Sequence, residues 1–382
     1  MQLISKLPNV GTTIFTVMSA LAKEHNAINL SQGFPDYPIS SILIEEVNRA
    51  MQNGLNQYAP MAGLPELRDI LSKKIQALYQ TSINPDTEIT ITPGGTYAIY
   101  AALTTILQPK DEVIVLEPAY DSYIPNIITN GAIPICIPLK YPDYSIDWKA
   151  VEQAITSHTK AIIVNTPHNP TGYVWTVEDI HHLDRIANQY DLFVISDEVY
   201  EHITLDGRVH ESILKYPSLL KRSFVIFSFG KVFHTTGWKM GYCVAPSDLS
   251  TEFRKIHQFL CFTCNTPMQV GLAKFLEHEH EYLQLPAFFQ QKRDLFLDLI
   301  KDLPFTLHQK SQGSYFQMLG YDQISSLPDK EFAIWLTKEY GVASIPVSAF
   351  NHNGKDDKLI RFCFAKKDET LIAAAEKLKR LQ

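Results

Sequence analysis

Three residues of this chain stand where apolar, strand-like runs end or are interrupted, and each is of a type that does chemistry when removed from water. The run FVIF (224–227) leads into Ser228-Phe229-Gly230-Lys231, and Thr236-Gly237-Trp238-Lys239 follows. A lysine desolvated at a strand end has a lowered pKa, which makes its amine a nucleophile towards an aldehyde. The residues alone do not rank Lys231 above Lys239, and either could be a solvated surface lysine. LFVIS (192–196) ends in Asp197, with Tyr200 three residues on. A carboxylate at the end of a buried strand needs a cation or a strong donor, and the Tyr200 phenol could aim at the same ligand. Arg361 interrupts LIRFCF (359–364). A guanidinium recognises carboxylates through paired hydrogen bonds; an edge-strand arginine in water is the plainer alternative.

Two loops could hold the rest of a ligand. Thr92-Pro93-Gly94-Gly95-Thr96 opens a helical pattern. Its glycines let backbone amides approach an anion, and a helix N-terminus adds partial positive charge, so the run could cradle one phosphate. A plain strand-to-helix turn would read the same way, and neither a dinucleotide fingerprint nor a P-loop is present. In NTPHNPTG (165–172) two prolines and a glycine hold Asn169 rigidly, leaving its amide free to meet a ligand oxygen. His168 beside it reads as structural. A phosphate cradle, a carboxylate wanting a cation, a reactive lysine and a carboxylate-binding arginine together suit pyridoxal phosphate with an amino-acid substrate.

The elements that must position these groups follow from periodicity. Apolar runs at 112–116, 160–165, 192–196, 224–227 and 240–245 alternate with helical patterns such as 96–107 and 177–189. Continuous Val/Ile runs between helices describe an α/β fold with a parallel sheet covered on both faces, whose ligands sit beyond the carboxyl ends of the strands. From about Glu281 the texture changes. A long helical pattern reaches Leu303, with Pro286 near its start, then strands are expected at 305–309, 314–319, 343–347 and 359–364, and helices at 329–340 and 368–381. The expected division is an arm over 1–45 packing on the small domain, a large domain over 46–280, and a small C-terminal α/β domain over 281–382.

Composition bounds the partners. The chain has 382 residues, enough for two domains, and is 45% hydrophobic and 20% charged, as a folding globular chain is. Its net charge of −7 argues against a nucleic-acid binder, which needs a basic stripe. No long apolar run suggests a membrane span, and MQLISKLPNV lacks the apolar stretch of a secretory signal. The five cysteines fit a reducing cytoplasm. Cys261 and Cys264 form C-x-x-C without a second ligand pair, and their flanks read as buried helix. The run 277–281 (EHEHE) reads as a solvated face or a helix boundary.

The motifs SQGFPD (31–36), NQYAP (56–60), TPGGT (92–96), EPAYDSY (117–123), NTPHNPTG (165–172), SDEVY (196–200), SFGK (228–231), TGWKMGY (236–242) and IRFCFA (360–365) run from end to end of the chain. In them the chain resembles the class I/II aminotransferases of fold type I, nearest the branch of methionine and kynurenine–oxoglutarate transaminases. The resemblance implies a large domain holding pyridoxal 5′-phosphate on a mostly parallel sheet, with a smaller α/β domain beside it. It implies Lys231 as the Schiff-base lysine and proton shuttle, Asp197 against the pyridine nitrogen, and Asn169 and Tyr200 on the ring hydroxyl. Tyr120 would stack on the ring. Gly94, Gly95, Thr96, Ser228 and Lys239 would hold the phosphate, joined by Tyr58 from the second subunit of a homodimer with shared sites. Many family members carry arginine where this chain has Lys239; lysine keeps the charge but not the fork of donors. Arg361 would grip the substrate carboxylate, with Gly33 and Asn169 helping. Phe15, Phe34, Tyr37, Tyr58, Tyr120 and Phe350 would give an aromatic pocket for large uncharged amino acids. The implied reaction is ping-pong transamination with a 2-oxo acid, with a C–S β-lyase as the alternative.

Overall fold

Strands that are buried on both faces need no polar positions, and the Val/Ile runs form such strands in a computed structural model of the chain, which describes residues 3–381. The central sheet has seven strands in the order Ile89–Thr92, Gly241–Val244, Ser223–Ser228, Phe193–Asp197, Thr159–Asn165, Glu112–Glu117, Ile133–Pro138. All run parallel except Gly241–Val244, which pairs antiparallel with both neighbours. The reason lies in the link 229–240. It holds one helical turn and one 3-10 turn, with no full helix to carry the chain back across the sheet, so the next strand must run backwards. The strand Ile133–Pro138 escaped the sequence reading because its prolines and partial exposure break the apolar pattern.

Helices cover both faces of this sheet, leaving two apolar layers. Helix Gly95–Ile106 buries most of its circumference, which explains its apolar composition. Helix Val177–Gln189 occupies the span its periodicity predicts, opened by a reciprocal cap between Thr176 and Asp179.

Towards the C-terminus, Ile345–Pro346, Leu359–Cys363 and Phe316–Gly320 form an antiparallel sheet with Leu359–Cys363 in the middle. Helices Leu285–Ile300, Asp329–Tyr340 and Asp368–Leu378 accompany it. The expected strand at 343–347 is split: Val342–Ala343 pairs instead with Ile28–Asn29, which follows helix Ile14–Glu24. The expected strand at 305–309 is reduced to a single bridge between Thr306 and Gly320. There the Gln317 side chain takes the Gln309 carbonyl and the Ser311 N–H, so the backbone finds its partners without a neighbouring strand. Cys261 and Cys264 occupy the connection between helices Ser247–Leu260 and Thr266–Phe275 rather than a helix. No helix among the described residues is long and apolar enough to cross a membrane.

Candidate active site

Lys231, Asp197, Tyr200, Asn169, Arg361, Gly33, Phe15, Tyr120, Ser228, Lys239 and the glycine turn Gly94-Gly95-Thr96 all line one cavity of about 320 Å³ beyond the carboxyl ends of the parallel strands, whereas Tyr58, Phe34, Tyr37 and Phe350 do not. At its centre, strand Ser223–Ser228 hands over to the helical turn Phe229–Val232 that carries Lys231. Gly230 permits this turn, since a Cβ there would lie 3.0 Å from Thr236 Cα. Lys231 Nζ donates to the Gly33 carbonyl at 3.3 Å and lies 5.8 Å and 5.9 Å from the rings of Tyr200 and Tyr315. Burial lowers its pKa to about 8. The exposed Lys239 stands elsewhere in the cavity, so the structure separates two lysines that the sequence left unranked.

Asp197 closes strand Phe193–Asp197 and is buried. Burial raises its carboxyl to about 6, against the pull of the Tyr123 hydroxyl, which donates to Oδ2 at 2.6 Å, and of the Val199 N–H. The parallel register sets Asn165 beside Asp197. Asn165 Nδ2 donates to the Asp197 carbonyl at 2.8 Å, and its Oδ1 accepts the Asn169 N–H at 2.9 Å, so one side chain fixes both loops. The Tyr200 ring meets Tyr315 edge-on.

Arg361 is 1% exposed and sits in the middle strand of the small sheet, which removes the edge-strand alternative. Nη1 donates to Asn169 Oδ1 at 2.6 Å and Nη2 to the Ser31 carbonyl at 3.0 Å, while Nε has no partner. Its guanidinium lies 3.8 Å from the centre of the Phe316 ring, with Phe350 at 5.0 Å and Phe15 at 5.4 Å. Burial lowers its pKa to about 10. A guanidinium packed between rings, with one N–H unused and a cavity in front, is built to receive an anion.

The opposite end of the cavity is the glycine turn. Gly94 has φ +86° and caps helix Gly95–Ile106, whose first N–H groups have no partner within the helix. A Cβ on Gly94 would stand 3.5 Å from Lys239 Nζ, so that ammonium lies over the turn. Ser228 lines the same cavity, and Thr96 Oγ1 lies 3.3 Å from the Tyr120 hydroxyl.

Tyr58 is 83% exposed, outside the cavity and edge-on to Phe262. Of the expected aromatic pocket, Phe15 and Tyr120 line the cavity and Phe350 backs Arg361. Phe34 lies instead beside the Lys366 ammonium, and Tyr37 packs edge-on against His234 and Phe288. His168 is buried, its Nδ1 2.8 Å from Thr171 Oγ1, as a structural residue. Sequence reasoning missed Tyr123, Asn165 and Phe316. Asn165 ends the strand next to Asp197 and could have been found from that pairing; Tyr123 offers the donor that a buried carboxylate requires. Nothing in the sequence marks Phe316 as the floor beneath Arg361.

A family profile for aminotransferases of class I and II matches residues 25–378. The methionine aminotransferase of Escherichia coli K12 is 47% identical over 378 residues, covering 99% of this chain and 98% of the relative. Rat kynurenine–oxoglutarate transaminase 3 is 34% identical, covering 97% and 88%. Among solved structures, YbdL of E. coli, described as having a methionine aminotransferase function, superposes with a TM-score of 0.97 at 45% identity over the whole of both chains. Thermus thermophilus aspartate aminotransferase with maleate gives 0.91 at 27%, again over both whole chains. This chain belongs to the class I and II aminotransferases, pyridoxal-phosphate-dependent enzymes of fold type I.

Proposed function

We propose that this enzyme moves an amino group between a large uncharged L-amino acid and a 2-oxo acid, alternating donor and acceptor in ping-pong order. The reading rests on one observation: a desolvated lysine between a buried carboxylate and a buried arginine, all facing one cavity. The relatives named for methionine and kynurenine point to the same substrate class.

The residues suit the cofactor. The glycine turn has no Cβ where a phosphate would lie and offers unpaired N–H groups, with Lys239, Ser228 and Thr96 beside it. Asp197 is a buried carboxylate at hand for a protonated ring nitrogen, held in place by Tyr123 and Asn165. Asn169 and Tyr200 offer donors to the ring oxygen, and Tyr120 offers a face. When bound, pyridoxal phosphate supplies a carbonyl that exchanges partners with the amino group and a charged ring that takes up electrons from the α-carbon. Lys231 Nζ, neutral above its lowered pKa, removes the α-proton and returns it. Arg361 holds the substrate carboxylate with its fork and its free Nε, and Gly33 borders the same corner. Phe15 and Phe316 keep water from this end.

Tyr58, exposed and outside its own cavity, would complete the site of a second copy in a homodimer on this reading. The chain divides, on this reading, into an arm over 1–45, a cofactor domain over 46–280 and a small domain over 281–382. All five cysteines are free, as in a reducing cytoplasm. The test is a panel of amino donors, including methionine, phenylalanine, kynurenine, glutamine and aspartate, read by cofactor absorbance in single half-reactions. Methionine or an aromatic donor is expected to be fastest. Aspartate preferred tenfold over methionine would remove the substrate assignment.

A further inference from the structure

Outside the cavity, three metal-ligating side chains from separate parts of the chain converge. Glu117 ends strand Glu112–Glu117, Cys136 lies in the neighbouring strand Ile133–Pro138, and His352 follows the turn Val347–Phe350. The register pairs Val115 with Cys136, and alternation returns Glu117 to the face of Val115, so carboxyl and thiol share one face of the sheet. His352 descends on them. Its backbone N–H donates to Glu117 Oε1 at 2.7 Å, and its ring Nδ1 lies 2.7 Å from Oε2. The oxygen, nitrogen and sulfur atoms all lie within 4.8 Å of one another.

A carboxylate only accepts, so Glu117 gathers protons from both other ligands, and the Cys136 thiol is pushed up to about 12 by burial and by the Glu117 charge. A cation at the centre would take over what those protons do. The donor set, one sulfur, one nitrogen and one oxygen, suits a borderline-soft ion such as Zn²⁺; Mg²⁺ and Ca²⁺ prefer oxygen alone. Zinc bonds of about 2.0–2.3 Å bring tetrahedral ligands roughly 3.3–3.8 Å apart, within the span of these atoms after small rotations.

We propose that Glu117, Cys136 and His352 form a Zn²⁺ site that ties the segment after Phe350 to the central sheet. On binding, the thiol releases one proton to solvent, the His352 ring binds through Nδ1 with its ring proton on Nε2, and water fills the fourth position. The site reaches towards the substrate end of the cavity. Phe350, two residues before His352, stands over Arg361, and its carbonyl accepts the Ala119 N–H at 2.8 Å.

The experiment is a calorimetric titration of the holoenzyme with Zn²⁺. One equivalent per chain is expected, with a heat that varies with the buffer because a proton is released. Its Kd should rise at least tenfold in Cys136→Ser, at a half-buried side chain, and in His352→Ala, at an exposed one. The exposed His278 and His280 offer competing donors, so His278→Ala/His280→Ala is the control, and it should bind Zn²⁺ as the unaltered enzyme does. Absence of binding by the unaltered enzyme, or undiminished binding by the Cys136 and His352 variants, would overturn the site.

Discussion

Asp197 and Glu201 lie four residues apart in the same segment, both buried, yet their protons are held in opposite ways. Burial raises the Asp197 carboxyl to about 6. Burial acts on Glu201 too, but the Lys74 ammonium at 2.5 Å, with the Tyr79 hydroxyl at 2.6 Å, outweighs it and holds that carboxyl down at about 2. The two lysines mirror this. Lys74 is enclosed by Glu201 and by the rings of Phe227, Tyr242 and Tyr282, whereas Lys231 has only a carbonyl and two ring faces. A buried charge given its partner becomes part of the scaffold. One denied its partner stays available for a ligand. The difference between a supporting pair and a reactive one is thus a matter of whether lysine and carboxylate touch.

The comparison breaks most visibly at the lysines. On the proposed mechanism Lys231→Ala takes away the proton carrier, and it is expected to lower kcat by about 10⁴-fold or more, while the melting temperature stays put or rises. Calorimetry and half-reaction kinetics on the same sample check both halves; a variant with near-normal turnover would mean that the lysine has another role. Lys74→Met should do the reverse. It leaves the buried Glu201 carboxylate without its cation, which costs about 3–5 kcal/mol of stability, while turnover per folded molecule stays within a few-fold. The double variant Lys74→Met/Glu201→Leu removes both charges and should recover most of that loss. Denaturant unfolding measures it, and a double variant no more stable than the single one would refute the pairing argument. The sign with pH follows: the depressed Glu201 carboxyl contributes stability above about 4.5 that is lost as pH falls towards 2.

How far this contrast could be read in the sequence depends on the range of the contacts involved. The strand ends were legible because apolar runs set their positions and chemistry follows soon after three of them, 160–165, 192–196 and 224–227. Lys231 and Asp197 were found that way and Arg361 as a charge inside an apolar strand, and the family motifs then implied their roles. Lys239 could not be ranked below Lys231 from the residues, since exposure depends on packing across the sheet. Lys74 and Glu201 are 127 positions apart, and no local pattern announces a pair at that separation. Phe316 beneath Arg361 and the misplaced Phe34 and Tyr37 have the same cause: a ring in an apolar segment does not say which group it covers. The Gln309 segment reads as a strand because alternation is local, while the Gln317 side chain that satisfies it is not.

The finest test concerns what keeps Asp197 ready. Its carboxyl holds a proton more tightly in the folded chain than the usual value of 3.8, so the cofactor-free protein should lose about 2 kcal/mol of stability as pH rises from 4 to 6. Cofactor binding runs the other way, because a protonated ring nitrogen needs the carboxylate; affinity should fall as pH drops through about 6. Tyr123 moderates that midpoint, since its hydroxyl at 2.6 Å favours the ionised form. Tyr123→Phe removes the donor without changing the ring, and a hydrogen bond to a charged group of about 1.5 kcal/mol corresponds to roughly one pH unit. The midpoint of cofactor affinity, followed by fluorescence quenching of the apoenzyme, should therefore move up by about one unit. Affinity well above the midpoint should be nearly unchanged. A uniform loss at every pH would instead mean that Tyr123 only packs against the site, and the proton on Asp197 would then be governed by burial alone.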